Sequence, residues 1–316
     1  MKAVFVEKPG SAEDLKYGDV PKPSPGPGEA LVKIEAAGVN FIDVYFRTGL
    51  YPAPAPIFLG SEGAGTVEAV GPDVELVKPG DRVAYAMARG SYAEYAVVPA
   101  QQLVPLPAGL DFVTGAAAML QGMTAHYLLY STYPVAKGTR CLIHAAAGGM
   151  GLLLVQMAKM LGAYVIGTVG SEEKAKLAKE AGADEVIVYT QENFADKAKK
   201  MDVVYDSVGK TTFLPSMDCL RPRGMIVNFG NASGPAPEIS PLLLTQKGSL
   251  FLARPSLAHH LLTREELLWR SGDVLGWVKD GRVKLRIFKT YKLADAAQAH
   301  RDLEGRHTTG KLILVP

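Results

Sequence analysis

The sequence predicts a two-part α/β chain in which a β-rich portion is joined to a doubly wound parallel sheet. Three observations predict it. Short strands punctuated by Gly and Pro run to about residue 120, apolar strands then alternate regularly with helices, and a glycine-rich turn heads that alternation.

At 316 residues the chain suits about two domains rather than one core. The composition is that of a soluble globular protein, with 48% hydrophobic and 21% charged residues. A formal net charge of +2 gives no case for nucleic acid or a membrane surface as a partner. The basic run Lys197 to Lys200 lies among acidic residues and reads as a solvated helix face. No apolar run approaches the roughly 20 residues that span a bilayer, and Met1 leads directly into a short strand pattern without signal-peptide shape. Cys141 and Cys219 form no close pair, so neither a disulfide framework nor a cysteine-rich metal site is expected. A cytoplasmic address is the default expectation.

In the first part, Lys2 to Val6, Ala30 to Val39, Gly63 to Val70 and Asp81 to Ala86 read as β segments. The proline-rich stretches 21–28 and 51–56 cannot continue a central ladder and are expected as loops. After residue 120 five apolar runs follow: Arg140 to Ala145, Tyr164 to Val169, Glu185 to Val188, Asp202 to Tyr205 and Met225 to Asn228. Helical periodicity fills the gaps, most clearly over Leu152 to Leu161 and Ser171 to Ala181. Ser249 to Ala253 is expected to close the sheet as its edge strand. In the last 60 or so residues, Thr263-Arg264-Glu265-Glu266 offers a capping-box helix start, Leu293 to Leu303 reads as a helix and Lys311 to Val315 as a strand. This tail is too short for its own core and is expected to return to the first part. The domains are therefore placed at 1–120, 121–255 and 256–316.

The strongest chemical signal is Ala145-Ala146-Ala147-Gly148-Gly149-Met150-Gly151, between a strand and a helix. Missing side chains let a phosphate approach the backbone there, and the helix N-terminus offers unpaired N–H groups. The dinucleotide fingerprint is incomplete, because Ala146 holds the first glycine position. Strand, turn, helix and second strand in this order nevertheless point to a Rossmann dinucleotide seat rather than a bare tight turn.

Bare-ribose dinucleotide sites usually place an acid about 20 positions further on. Here Gly170 and Ser171 stand in that region, with Lys174 following. A neutral strand end beside an ammonium suits the 2′-phosphate of NADPH. Glu172 and Glu173 weigh against this, and Lys174 alone also reads as a surface helix lysine.

The motifs from Asn40 to Tyr51, Gly60 to Gly65, Gln121 to Ala125, His144 to Gly151, Tyr205 to Gly209 and Phe229 to Asn231 cover essentially the whole chain. In this order they resemble the medium-chain dehydrogenase/reductase superfamily and, within it, the zinc-free quinone oxidoreductases related to zeta-crystallin. The resemblance implies a GroES-like catalytic domain followed by a Rossmann domain. Zinc-dependent relatives carry a cysteine ligand where this chain has Asn40, and a Gly-His-Glu where it has Gly60-Ser61-Glu62; a four-cysteine lobe is also missing. With those ligand types replaced, no metal is expected.

The chemistry implied is hydride delivery from NADPH to an electron-poor acceptor, a quinone or an enone, with the protein supplying orientation. By the same resemblance, Asn40, Asp43, Tyr45, Arg47 and Tyr51 line the nicotinamide and substrate cleft. Either Tyr45 or Tyr51 can hydrogen-bond a developing oxyanion; ordinary packing is the other reading of both. Thr124 and Tyr127 resemble positions near the nicotinamide and phosphates. Gly148, Gly149, Met150 and Gly151 would face the pyrophosphate, and Gly170, Ser171, Lys174 and Tyr189 the 2′-phosphate. Ser207, Phe229, Gly230 and Asn231 fall at later strand ends, and Arg306 resembles a cofactor-contacting arginine, although an ordinary surface arginine fits equally.

The expected activity is NADPH:quinone reduction; an NADPH-dependent enone or alkenal reductase uses the same residues. A mainly non-catalytic NADPH- or RNA-binding protein is the alternative of another class. An exposed edge at Ser249 to Ala253 invites pairing, so a homodimer joined through the Rossmann sheet edges is expected.

Overall fold

The computed structural model describes all 316 residues. The chain forms two compact units, Met1–Met123 with Leu261–Pro316, and Thr124–His260.

The first unit opens with β1 (Lys2–Val6), β2 (Lys16–Asp19) and β3 (Glu29–Val39), the last a long apolar strand. A short helix, α1 (Phe41–Thr48), follows directly, then β4 (Ile57–Phe58), β5 (Glu62–Val70), β6 (Arg82–Ala86), β7 (Tyr95–Pro99) and β8 (Val104–Pro105). The proline-rich stretches are loops, because proline has no N–H to give a ladder. Helix α2 (Phe112–Tyr127) carries the chain onward.

The second unit alternates strands with helices: β9 (Arg140–Ile143), α3 (Gly149–Met160), β10 (Tyr164–Val169), α4 (Glu172–Glu180), β11 (Glu185–Val188), α5 (Phe194–Lys197), β12 (Met201–Asp206), α6 (Phe213–Met217), β13 (Leu220–Asn228), α7 (Pro241–Gln246) and β14 (Phe251–Ala253). Every pairing is parallel. The order β11-β10-β9-β12-β13-β14 is the doubly wound arrangement, and its direction reverses between β9 and β12. Ligands bind such sheets at the carboxyl ends beside that reversal. β9 ends two residues before its expected limit because Ala145 turns left-handed, at φ 51°. β14 is an edge strand, as expected, with Phe251 56% and Leu252 41% exposed.

The tail supplies α8 (Arg264–Lys279), β15 (Ile287–Lys292), α9 (Ala296–Glu304) and β16 (Lys311–Val315). The Thr263 capping box with Glu266 is formed. The segment read as one helix from Leu293 begins with a 3₁₀ turn before α9, because Leu293 is pulled into the core. β16 lies antiparallel on β3, with Ile313 opposite Gly38. Leu312, Leu314 and Tyr291 thereby share one core with Val32, Ile34 and Tyr85. No helix is long and apolar enough to cross a membrane.

Candidate functional site

In the second unit the glycine turn lies where β9 gives way to α3. Gly148 caps α3 with no side chain of its own, so the first N–H groups of the helix face outward without a capping oxygen. Gly151 is enforced by close approach: a Cβ there would stand 2.2 Å from the Ala145 carbonyl oxygen and 2.6 Å from Ala146 Cα. The missing first glycine also has a local explanation. Ala146 is fully buried, and Gly167 on β10 leaves the room, since a Cβ on Gly167 would come 2.7 Å from that of Ala146.

At the end of β10, Ser171 caps α4, its hydroxyl accepting the Lys174 backbone N–H at 3.4 Å. The Lys174 side chain is half-buried, and that burial lowers its pKa. Tyr189, just past β11, is 49% exposed, and its hydroxyl would lie 2.7 Å from a Cβ on Gly170. Gly170, Ser171, Lys174 and Tyr189 are thus gathered at neighbouring strand ends.

Beyond β12, the buried Asp206 organises the next loop. Its Oδ1 accepts the N–H groups of Val208 and Gly209 at 2.8 and 3.0 Å and the Thr212 hydroxyl at 2.8 Å. The Ser207 carbonyl of this loop lies against Gly230, whose Cβ would come 2.5 Å from it. Phe229, half-buried, donates its N–H to the Asp206 carbonyl at 2.9 Å. The Asn231 carboxamide bridges the Gly230 carbonyl at 3.0 Å and the Arg254 guanidinium at 3.1 Å. Arg254 was missed from the sequence, although it sits one residue past β14, at the strand ends where ligands bind. His260 was missed too: it stacks on Tyr127 at 4.2 Å. Thr124 is 8% exposed on the same helix as Tyr127.

In the first unit, Asn40 caps α1 and donates its backbone N–H to Asp43 Oδ2 at 3.0 Å. Asp43 is fully buried, and Oδ1 and Oδ2 also accept the hydroxyls of Ser61 at 2.7 Å and Tyr92 at 3.1 Å. Burial raises its pKa to about 6, against the lowering effect of these donors. Tyr45 and Tyr51 meet edge to face at 5.2 Å. Arg47 is placed differently from the other four. It is 2% exposed and forks onto Glu304 at 2.8 and 2.9 Å, with Nη1 also 2.9 Å from His300 Nδ1 and Nε on the Gly10 carbonyl at 3.2 Å. Arg306 is exposed, with φ 58°, on the turn between α9 and β16.

Because Arg47 is a donor only, His300 Nδ1 must offer it a lone pair, which leaves the ring proton on Nε2, 3.3 Å from the Tyr92 hydroxyl. Burial, with the Arg47 charge adding to it, pushes the His300 pKa down to about 3. The unfolded chain therefore binds the proton first as pH falls below about 6.5, and the His300 contribution is present above that value and lost towards pH 3. Asp43, with its raised pKa, acts in the opposite sense between about 4 and 6. For His300→Asn, the stability deficit against the parent protein should shrink by about 2 kcal/mol between pH 7 and 4.5. Urea titrations at both pH values measure it, and an unchanged deficit contradicts the neutral imidazole.

Residues 26–108 match the family described as alcohol dehydrogenase GroES-like domain, and residues 149–261 match zinc-binding dehydrogenase. Fold and site together define a medium-chain dehydrogenase/reductase. The chain is 49% identical over 315 residues to a quinone oxidoreductase of Pseudomonas aeruginosa, covering 97% of each. A 2-haloacrylate reductase of a Burkholderia species is 42% identical over 329 residues, covering 99% of this chain and 98% of the relative. The crystal structure of Escherichia coli quinone oxidoreductase complexed with NADPH superposes with a TM-score of 0.98 at 42% identity, covering both chains completely. The chain belongs to the quinone oxidoreductase family of that superfamily.

One of those family descriptions names zinc, and the residues here do not fit it. Asn40 and Ser61 offer a carboxamide and a hydroxyl, Glu62 is already paired with Lys311, and both nitrogens of His144 are engaged, with Thr168 and Ser216 at 2.8 Å. The Cys141 thiol is pushed up to about 12 by burial. No set of three His, Cys, Asp or Glu side chains is placed to hold a metal.

Proposed function

We propose that the protein is an NADPH-dependent quinone oxidoreductase that works without zinc. The observation that carries this reading is the end of β10: no residue at 170 or 171 is acidic, and a half-buried lysine follows on the first turn of α4. NADPH, when bound, supplies a hydride to an acceptor that is already electron-poor. The α3 turn, with Gly148, Gly149, Met150 and Gly151, holds the pyrophosphate on its outward N–H groups. Ser171 and Lys174 hold the 2′-phosphate, and Gly170 and Tyr189 flank it. Thr124, Tyr127, Ser207, Phe229, Gly230 and Asn231 shape the rest of the cofactor seat, with Arg306 as a further cofactor contact.

On the other unit, Tyr45 or Tyr51 donates a hydrogen bond to the oxygen that gains charge. Asp43 accepts the Ser61 hydroxyl, and the proton that completes reduction comes from solvent. Asn40 sets the start of α1, and Arg47 fastens that helix. A second reading, reduction of an activated C=C bond, is favoured by the likeness to a 2-haloacrylate reductase. NADPH oxidation measured with a quinone panel and with a 2-alkenal decides between them. Turnover on neither, with NADPH still bound, would overturn both.

Lys174→Ala should raise the Kd for NADPH roughly 10- to 150-fold, the equivalent of one charged hydrogen bond of about 1.5–3 kcal/mol, and leave NADH nearly unchanged. Equal losses for both cofactors would refute the 2′-phosphate assignment. A homodimer belongs to the same proposal, supported by the exposed apolar edge at Phe251 and Leu252. Light scattering should give about twice 33.7 kDa, and the single-chain mass would exclude it. A cytoplasmic setting is supported by two cysteines kept as buried free thiols.

A further inference from the structure

Three buried polar side chains of the GroES-like unit form a group of their own. Lys311 opens β16 with 2% exposure, and its ammonium lies between the Glu62 carboxylate, with which it is ion-paired, and Asn40 Oδ1 at 2.7 Å. Glu62 is fully buried and takes two further donors, Asn40 Nδ2 at 2.8 Å and the Leu120 N–H at 2.7 Å. Asn40 is saturated as well. Its Oδ1 also accepts from Gln121 Nε2, and its Nδ2 also donates to the Gly38 carbonyl, both at 3.3 Å.

The backbone is cleared for this group. A Cβ on Gly38 would stand 2.1 Å from Glu62 Oε2 and 2.8 Å from Lys311 Cε. Burying a lysine and a glutamate is costly unless both are paired and hydrogen-bonded, and here the carboxylate has three donors and the ammonium two acceptors. A carboxylate and a carboxamide oxygen converging on one point are also the donors that hold a hard cation. In this chain the positive charge arrives tethered to the last strand. Because Asn40 caps α1 and its N–H holds Asp43, whatever fixes Asn40 fixes the start of the helix that carries Asp43 and Tyr45.

We propose that Lys311 is a positioning residue, the built-in cation of this site, which locks the Asn40 carboxamide against Glu62 and so sets α1 for quinone reduction. This rests on the reading of α1 as the acceptor-binding helix.

Lys311→Ala opens a hole that a small ammonium ion can enter. The variant should lose at least tenfold in kcat/KM for quinone while its NADPH Kd stays within twofold of the parent protein. Ethylammonium should restore at least fivefold of that loss saturably, and tetramethylammonium at equal ionic strength should not. A kcat/KM within twofold of the parent protein overturns the proposal, as does equal response of a folded variant to the two ions. Should Lys311→Ala fail to fold, the Glu62→Gln, Lys311→Met double variant removes both charges at similar volume. It should fold and still lose at least tenfold in kcat/KM, and parental kinetics there overturn the proposal. Hydrogen exchange of the Asn40 side-chain amide, followed by NMR, provides a readout independent of turnover: exchange should be at least tenfold faster in whichever variant folds. Unchanged exchange overturns the positioning role. If the parent protein reduces no quinone, the proposed function falls, and the exchange comparison still decides the role of Lys311.

Discussion

Gly151→Val is expected to abolish useful NADPH affinity, raising the Kd at least about 100-fold, while the sheet of the second unit still folds. The collision is with backbone: the new Cβ would lie 2.2 Å from the Ala145 oxygen and 2.6 and 2.7 Å from Ala146 Cα and C. No side chain can move aside to relieve it. The turn must therefore shift against α3, straining the Gly148 N–H to Ala145 carbonyl bond, now 2.9 Å. Overpacking of this kind costs about 1–3 kcal/mol of stability. The larger loss is in binding, because outward N–H groups aimed at an anion work only in register with it. Losing two charged hydrogen bonds of about 1.5–3 kcal/mol each exceeds a factor of 100. Gly272→Ala is the matched control, since no atom outside its own helix lies within 4 Å of a Cβ there. Fluorescence titration with NADPH reads both variants, and a Gly151→Val affinity within threefold of the parent protein would refute the tight-turn account.

That turn also marks where the sequence was legible and where it was not. The strand limits of β10, β11 and β16 were readable to the residue, because each is a short, largely apolar run rich in Val, Ile or Leu. β9 was read too long, since nothing in a string of three alanines announces that Ala145 adopts a left-handed conformation. The compensation of Ala146 by Gly167 was invisible for a related reason: it joins the turn after β9 to the neighbouring strand β10. In the site, Ser171 and Lys174 could be singled out locally, by their distance after the glycine turn, although that Ser171 caps α4 shows only in the structure. Residues brought in by distant chain could not be: Lys311 reaches Asn40 only through the β3–β16 pairing, and Arg254 reaches Asn231 only through the sheet order. Arg47 illustrates the converse. The family resemblance placed it with Tyr45 along the cleft, whereas its guanidinium is buried on Glu304, His300 and the Gly10 carbonyl.

Arg47→Ala should be the most destabilising single change in the first unit, costing about 3 kcal/mol or more. Its guanidinium joins α1 to two segments remote in sequence, the Gly10 carbonyl near the start of the chain and His300 and Glu304 on α9. Removing a buried charged partner typically costs about 3–5 kcal/mol; because the Glu304 side chain is 36% exposed, its stranded carboxylate can recover some hydration, which places the effect near the lower end. His300 cannot, being buried with Nδ1 facing the vacated space. The loss should run through that imidazole to the Tyr92 hydroxyl and stop there, because Asp43 keeps the Asn40 N–H and the Ser61 hydroxyl at the start of α1. Glu304→Gln, which leaves the guanidinium and a carboxamide acceptor in place, should cost about 1 kcal/mol. Thermal melts rank the two variants. Kinetics at a temperature where Arg47→Met remains folded then separate anchoring from acceptor contact: an anchor leaves kcat/KM per folded molecule within a few-fold of the parent protein. A loss of 100-fold or more in a fully folded Arg47→Met would place the guanidinium in the reaction itself and overturn its assignment to the α1–α9 fastening.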